Sequence, residues 1–300
     1  MNILSLGDLL LDVVIRYDPS TGEADAAPDA VQLWPGGSAA NFAVWAARGG
    51  ADVGLISRVG RDWAGDMLVR SLEAEGVAPY VRVVDNTPTG RVLVMVDPAG
   101  VRRMWSYPGA SVSIDAADVE PSWFRDLAAF HLTGYSLLRE GPRAAALRAL
   151  ELARASGPTL CTLDPNPPHL ISDFGPARYR QTLRDLQFDA VFPNLEEGRL
   201  LSGQVDPHSI ASDLMELSPL VVLTLGEDGC LVALRSDHNA PPQLTRVAPH
   251  PVERVLDTTG AGDAFAAGFV IEYLRAHDPL SAAQAANRLA AGVVGRVGAR

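Results

Sequence analysis

The sequence predicts an α/β fold, doubly wound, with a mostly parallel central sheet flanked by helices and a small β-sheet lid. Short β-rich runs alternate with Ala-, Leu- and Arg-rich helical patterns, the signature of parallel strands joined by crossover helices. Two stretches break that alternation, each with strand-like runs separated by Pro, Gly and Asp turns and no helix between them. A chain of 300 residues with 47% hydrophobic content suffices for one α/β domain with an appendage.

Taken in order, the expected core strands are Ile3 to Leu6, Val53 to Arg58, Ala129 to Thr133, Thr159 to Leu163, Ala190 to Phe192 and Val221 to Leu225. Helical patterns at Ser38 to Arg48, Trp63 to Glu75, Pro142 to Ala155 and Ala177 to Leu186 follow most of them. The chain reads as a single domain over 1–300, with the breaks at Val13 to Leu33 and Tyr80 to Ser106 pairing as a separate small sheet. That sheet is either a lid over the carboxyl end of the main sheet or a plain β extension. Ser236 to Pro251, with its prolines and histidines, reads as a surface hairpin or loop.

A net charge of −11 argues against nucleic acid and anionic membrane as partners. No apolar run reaches the ~20 residues of a membrane span and the opening segment does not resemble a signal peptide, so the cytoplasm is the expected compartment. Cys161 and Cys230 sit in apolar strand-like sequence and read as buried, reduced thiols. All 25 basic residues are arginine, which removes P-loop, protein-kinase and Schiff-base lysine chemistry. Phosphate, if handled, is handled by backbone amides, arginine and a metal.

The seven residues Asp257 to Asp263, DTTGAGD, look like such a site. Gly260, Ala261 and Gly262 leave backbone N–H groups uncovered, and a helix over about Asp263 to Arg275 would aim its positive end at an anion. Asp263 can reach a substrate hydroxyl there, while an ordinary acidic N-cap is the competing reading. At the other end of the chain, Asp12 is expected at the end of the first strand, where a carboxylate can accept two hydroxyl hydrogen bonds, with Asp8 as its rival. Gly36 and Gly37 let backbone approach a ligand, and Asn41, a turn into the next helix, offers donor and acceptor together. The competing reading is a helix start with Ser38 as cap. Asn194 and Glu197 follow a strand and open a helix, so both can face the same crevice, with Glu196 a rival carboxylate and simple capping an alternative. Asn166, in the DPNPP of Asp164 to Pro168, ends another strand on that crevice.

Together these motifs resemble the ribokinase-like (PfkB) family of sugar and nucleoside kinases. DTTGAGDAF matches its C-terminal signature and Gly36 to Asn41 its N-terminal one; GDLLLD at Gly7, VGRDWAGD at Val59, Pro108 to Ala110, NLEE at Asn194 and TLGEDG at Thr224 extend the likeness through most of the chain. The resemblance implies ATP and Mg2+ as cofactors, Asp263 as catalytic base and the Gly260 to Gly262 turn as anion hole. It places acceptor on Asp12, Gly36, Gly37, Asn41 and Asn166, nucleotide by Asn194, Thr224, Gly226, Gly229 and Asn287, and Mg2+ by Asn194 and Glu197, through water. A monovalent cation, K+, is implied at Asp257 and Thr259 with carbonyls of a C-terminal loop. Two departures bear on the acceptor. Ser38 stands where many relatives carry lysine, and Pro167 and Pro168 follow Asn166 where some carry arginine, which points away from phosphorylated, sugar-acid and fructose acceptors. The expected activity is ATP-dependent phosphorylation of a hydroxyl on a small sugar. A nucleoside kinase, with Trp34 or Trp105 stacking a base, is the alternative, followed by a silent sugar- or nucleotide-binding protein. A homodimer through the lid would bury that sheet's apolar face.

Overall fold

A computed structural model of the protein describes residues 1–17, 20, 30–97, 102–235, 241–296 and 298–300. Part of the first expected lid segment, 18–19 and 21–29, and residues 98–101 of the second therefore lie outside the described residues, as do 236–240 of the expected surface hairpin.

The chain opens with β1 (Asn2–Leu6), whose last four residues are all buried, and turns at Gly7 into β2 (Leu10–Arg16). After β3 (Val31–Gly36) come α1 (Ser38–Arg48), β4 (Asp52–Gly60), α2 (Trp63–Ala74) and β5 (Val77–Val84). β6 (Gly90–Val96) and β7 (Arg102–Tyr107) precede β8 (Leu127–Thr133), the short α3 (Gly134–Leu138), α4 (Glu140–Ala155) and β9 (Leu160–Asp164). Then follow α5 (Pro168–Phe174), α6 (Pro176–Leu186), β10 (Ala190–Val191), α7 (Leu195–Ser202), α8 (Pro207–Leu214), β11 (Leu220–Thr224), β12 (Cys230–Leu234) and β13 (Gln243–Val247). Two long helices, α9 (Ala261–Ala276) and α10 (Pro279–Val294), end the described fold.

The main sheet has nine strands in the order β13-β12-β11-β10-β9-β8-β1-β4-β5, parallel from β11 to β5 with β12 and β13 antiparallel at one edge. Because the chain leaves β1 towards β4 on one side and later fills β8 on the other, strand order reverses at β1. A crevice opens at such a reversal on the carboxyl ends of the strands. Helices cover both faces. Ala39 to Ala46 of α1 and Ala264 to Ile271 of α9 pack in one core, while α4 buries Ala145, Ala146, Ala149, Leu150 and Ala153, a helical stripe, in the other.

The second sheet has the order β3-β2-β6-β7. It differs from expectation in one respect: Tyr80 to Val84 belong to β5 and pair in parallel with β4 in the main sheet, so only β6 and β7 of the second expected segment join the small one. Gln243–Val247, expected within a surface hairpin, form the edge strand of the main sheet against β12. Cys161 and Cys230 are buried free thiols. No helix among the described residues is long and apolar enough to cross a membrane.

Candidate active site

The crevice is organised around Asp263. Helix α9 is preceded by its N-cap Gly260, whose φ of 76° is left-handed and whose Cβ, were there one, would meet the Ala299 carbonyl at 2.6 Å. Asp263 therefore enters in the first turn of α9, and its carboxylate is taken by α1 rather than by its own helix. Ser38 Oγ donates to Oδ1 and Asn41 Nδ2 donates to Oδ2 at 2.8 Å. Neither competing capping reading survives: α9 has no side-chain cap, and the first amides of α1 are taken by Asp8, just after β1. Asp8 accepts from Ser38 N at 2.9 Å and from Ala39 N at 3.2 Å, which also removes Asp8 as a free rival to Asp12. Asn166 joins from the end of β9, its Nδ2 donating to Ser38 Oγ at 3.3 Å. The amide oxygens of Asn41 and Asn166 are buried without a hydrogen-bond partner, two acceptors within one cluster.

Asp12 is not at the end of the first strand. It lies in β2 of the small sheet, opposite Trp34 of β3, with its carboxylate against Gly36, where a Cβ would be 2.4 Å from Oδ2. Gly37, with φ of 100°, similarly lets Asp8's carbonyl approach. By register Asp12, Trp34, Val92, Met104 and Ser106 share one face of that sheet, and Trp105 lies on the other. Trp34 packs on Gly298.

That last contact belongs to a feature the sequence reading missed. Residues 298–300 form a strap: Gly298 N donates to Asp257 Oδ2 at 3.1 Å, Trp45 Nε1 donates to Ala299 O at 3.0 Å, and Arg300 donates from Nε to Pro35 O and from Nη2 to Gly36 O, both at 3.1 Å. The tail thus joins the Asp257 turn, α1 and the Gly36 backbone, and it brings a guanidinium towards Asp12. Nothing in the local pattern around Arg300 marks it, since its partners are carbonyls far away in sequence.

On the other half of the crevice, Asn194 and Glu197 form a capping box at the start of α7. Asn194 Oδ1 accepts from Glu197 N at 2.9 Å, and Glu197 accepts from Asn194 N at 2.9 Å and Asn194 Nδ2 at 2.7 Å. Asp164, at the end of β9, is a second missed residue. It is buried, and its Oδ2 would be the nearest atom, at 3.8 Å, to a Cβ on Gly262. Thr224 bridges to Asn194 where β11 ends, and Gly226 follows with open space beside it. Gly229 instead meets the Val247 carbonyl where β12 begins, and Asn287 Nδ2 donates to Ala248 O at 2.8 Å, tying α10 to the sheet edge. Asp257 Oδ1 accepts from Thr259 N at 2.7 Å, so its carboxylate shapes the turn as well as holding the strap.

Acid groups dominate the electrostatics. Burial pushes Asp263 up to about 7 despite the donors Ser38 and Asn41. Burial likewise pushes Asp12 to about 7, opposed by Arg300, and Glu197 to about 7, opposed by the Asn194 donors. Asp164 is raised well above the usual carboxylate range by burial and then by Glu197 and Asp263. No group of three or more His, Cys, Asp or Glu forms a ready metal cage among the described residues. The sparse pair Asp164 and Glu197 offers carboxylate oxygens that suit a hydrated divalent ion better than a dehydrated one.

A family model for pfkB family carbohydrate kinases matches residues 1–300. The chain belongs to this family. It is 31% identical over 272 residues to Fructokinase-1 of Zea mays, covering 88% of this chain and 80% of the relative. It is also 31% identical over 303 residues to the ATP-dependent ribose-1-phosphate kinase of Halopiger xanaduensis, covering 100% and 94%. The solved putative Ribokinase II from E. coli, in complex with ATP and Mg+2, superposes with a TM-score of 0.84 at 26% identity, over 99% of this chain and 94% of that one. As a pfkB family carbohydrate kinase the protein is an ATP-binding phosphotransferase with an alcohol group as acceptor, on a ribokinase-like fold.

Proposed function

We propose that the protein transfers the γ-phosphoryl group of ATP to a hydroxyl of a small sugar bound between the small sheet and the start of α1. The observation that carries this is the pairing of Asp263 with Asn41 beside two buried, unpartnered amide oxygens, those of Asn41 and Asn166. A polyol supplies hydroxyl donors for such acceptors and places one hydroxyl at the Asp263 carboxylate, within reach for proton removal. Gly262, with no side chain of its own at the positive end of α9 and only Asp164 Oδ2 within 4 Å of where a Cβ would stand, supports an anion hole in the turn Gly260 to Gly262. Asp12, Gly36 and Gly37 would hold the rest of the sugar. Asn194, Thr224 and Gly226 would border the nucleotide phosphates. Asp164 and Glu197 would hold magnesium through water, and when bound it neutralises phosphate charge. Asp257 and Thr259 remain the proposed seat of K+.

The small sheet acts as a lid in this reading. Its inner face carries Leu10, Asp12, Val92, Met104 and Ser106, and closing it would exclude water from the phosphoryl group. Leu33, Trp105 and Tyr107 are exposed, which supports a homodimer formed through this sheet. An ADP-release assay against pentoses, hexoses, keto acids and nucleosides tests the reading. Turnover of sugars above nucleosides supports it, turnover of nucleosides alone makes the protein a nucleoside kinase, and binding with no turnover makes it a silent binding protein.

A further inference from the structure

We propose that the acceptor carries a negatively charged group, a carboxylate or a phosphate, and that Arg139 and His169 read it at the end of the pocket away from Asp263. The proposal rests on the sugar-kinase reading above and adds the class of sugar. A cavity of about 540 Å3 opens under the inner face of the small sheet; Asp8, Leu10, Met104, Tyr135, Arg139 and His169 are among its walls. One end belongs to the catalytic cluster, through Asp8, which holds the Ser38 and Ala39 amides next to Asp263. The Tyr135 hydroxyl is held above its ordinary range by burial and by the carboxyl groups of Asp8, Asp263, Asp164 and Glu197, so this end carries the acids.

The other end is basic. Arg139 sits in an extended residue between α3 and α4, half-buried, and its guanidinium makes no hydrogen bond or ion pair with any described residue. Three other partly buried arginines have acid or carbonyl partners: Arg58 pairs with Asp118, Arg180 with Asp213 and Glu216, and Arg143 donates to the Leu137 carbonyl. In a chain with 36 acids against 25 arginines, a half-buried arginine without a partner on a cavity wall is conspicuous. His169, in the first turn of α5 just beyond Asn166, adds a ring nitrogen to the same wall. The pocket is therefore polarised, and a ligand with a hydroxyl at one end and an anion at the other fits both ends. A neutral sugar satisfies only the first. Guanidinium is suited to this because its fork pairs with carboxylate or phosphate oxygens two at a time. Ser38, Pro167 and Pro168 point away from a charged acceptor on the α1 and α5 sides of the pocket, so the reading rests first on Arg139 and only second on His169. Arg139 reaches the pocket from the β8–α4 connection.

The test compares acceptors of matched carbon skeleton: ribose with ribose 1-phosphate and ribose 5-phosphate, fructose with fructose 6-phosphate, and glucose with gluconate and 2-keto-3-deoxygluconate. For the wild type, kcat/KM for an anionic member should exceed that of its neutral partner, and the pair that does so distinguishes phosphate from carboxylate. Arg139→Met should reduce that ratio about 10- to 100-fold, chiefly through KM, and His169→Gln by less. Arg139→Lys should restore more of a phosphate preference than of a carboxylate preference. Calorimetric binding of the same anionic sugars without ATP gives a readout independent of turnover. If neutral sugars are phosphorylated as well as anionic ones and Arg139→Met leaves the ratio unchanged, the inference fails while the kinase reading stands. If nothing is turned over, the kinase reading fails, and anionic sugars binding wild type and Arg139→Met equally would overturn the inference too.

Discussion

The two halves of the crevice are assembled differently. Around Asp263 the bonds are long-range: Asn41 to Asp263 spans 222 positions, Ser38 to Asp263 spans 225 and Arg300 to Gly36 spans 264. Around α7 the bonds are local, the Asn194–Glu197 pair being three residues apart and closed on itself as a capping box. The half proposed to hold the acceptor is thus fixed by long-range bonds across the fold, whereas the half proposed to hold the phosphates is held by bonds within one helix start. Preassembled polar groups are what stabilise developing charge without reorganisation. In the proposed reading the local half would share its bonds with an incoming ion.

The largest effect should come from the long-range half. Asp263→Asn keeps the shape and loses the proton acceptor, so kcat should fall roughly 100-fold or more with no drop in melting temperature. In the wild type, kcat/KM should rise with pH through an ionisation near 7, since the proposed base would work only when its carboxylate is charged. Near-normal turnover of the Asn variant would remove Asp263 from the chemistry. Glu197→Gln tests the local half: it cannot accept both Asn194 donors, so stability should fall by about 1 to 3 kcal/mol and KM for MgATP should rise, with acceptor KM steady. A change in acceptor KM alone would blur the division between halves.

Arg300→Met asks how far the strap holds the acceptor side. Losing the bonds to the Pro35 and Gly36 carbonyls should raise acceptor KM about 3- to 10-fold while KM for ATP stays put. Titration calorimetry that finds equal acceptor affinity would reduce the strap to a packing role. The smallest kinetic effect is expected for Asn287→Ala. Loss of its bond to Ala248 should cost about 1 kcal/mol in urea unfolding and leave KM for ATP within about twofold. A larger shift in that KM would put Asn287 beside the nucleotide after all.

The same contrast marks what could be read from sequence. Periodicity located α1 to the residue and α2, α4 and α6 nearly so, because a helix reports its buried face locally. The two signatures around Asn41 and Asp263 were legible as motifs. That their side chains meet was implied only by the resemblance. Sheet membership was harder: β5 alternates like a lid strand, yet it pairs with β4, a choice made by partners rather than by its own residues. Asp164 was passed over beside Asn166 because burial near Gly262 is a property of the fold. Arg300 was invisible for a similar reason, since a guanidinium bonded to carbonyls leaves no pattern in its neighbours.

The crowding of carboxyl groups in the crevice makes the unliganded protein a store of protons at neutral pH. Asp12, Glu197 and Asp263 all titrate near 7 when folded, against ordinary values of 3.8 for Asp and 4.5 for Glu. The folded state keeps protons that the unfolded chain has released, so unfolding free energy should fall as pH rises from about 4 to 7 and level off above. A cation or a cationic partner in the crevice would favour the charged forms and discharge the store. Heats of MgATP binding measured near pH 7 in phosphate and in Tris should then differ in proportion to the two buffers' ionisation enthalpies, and identical heats would mean that the acids stay protonated throughout.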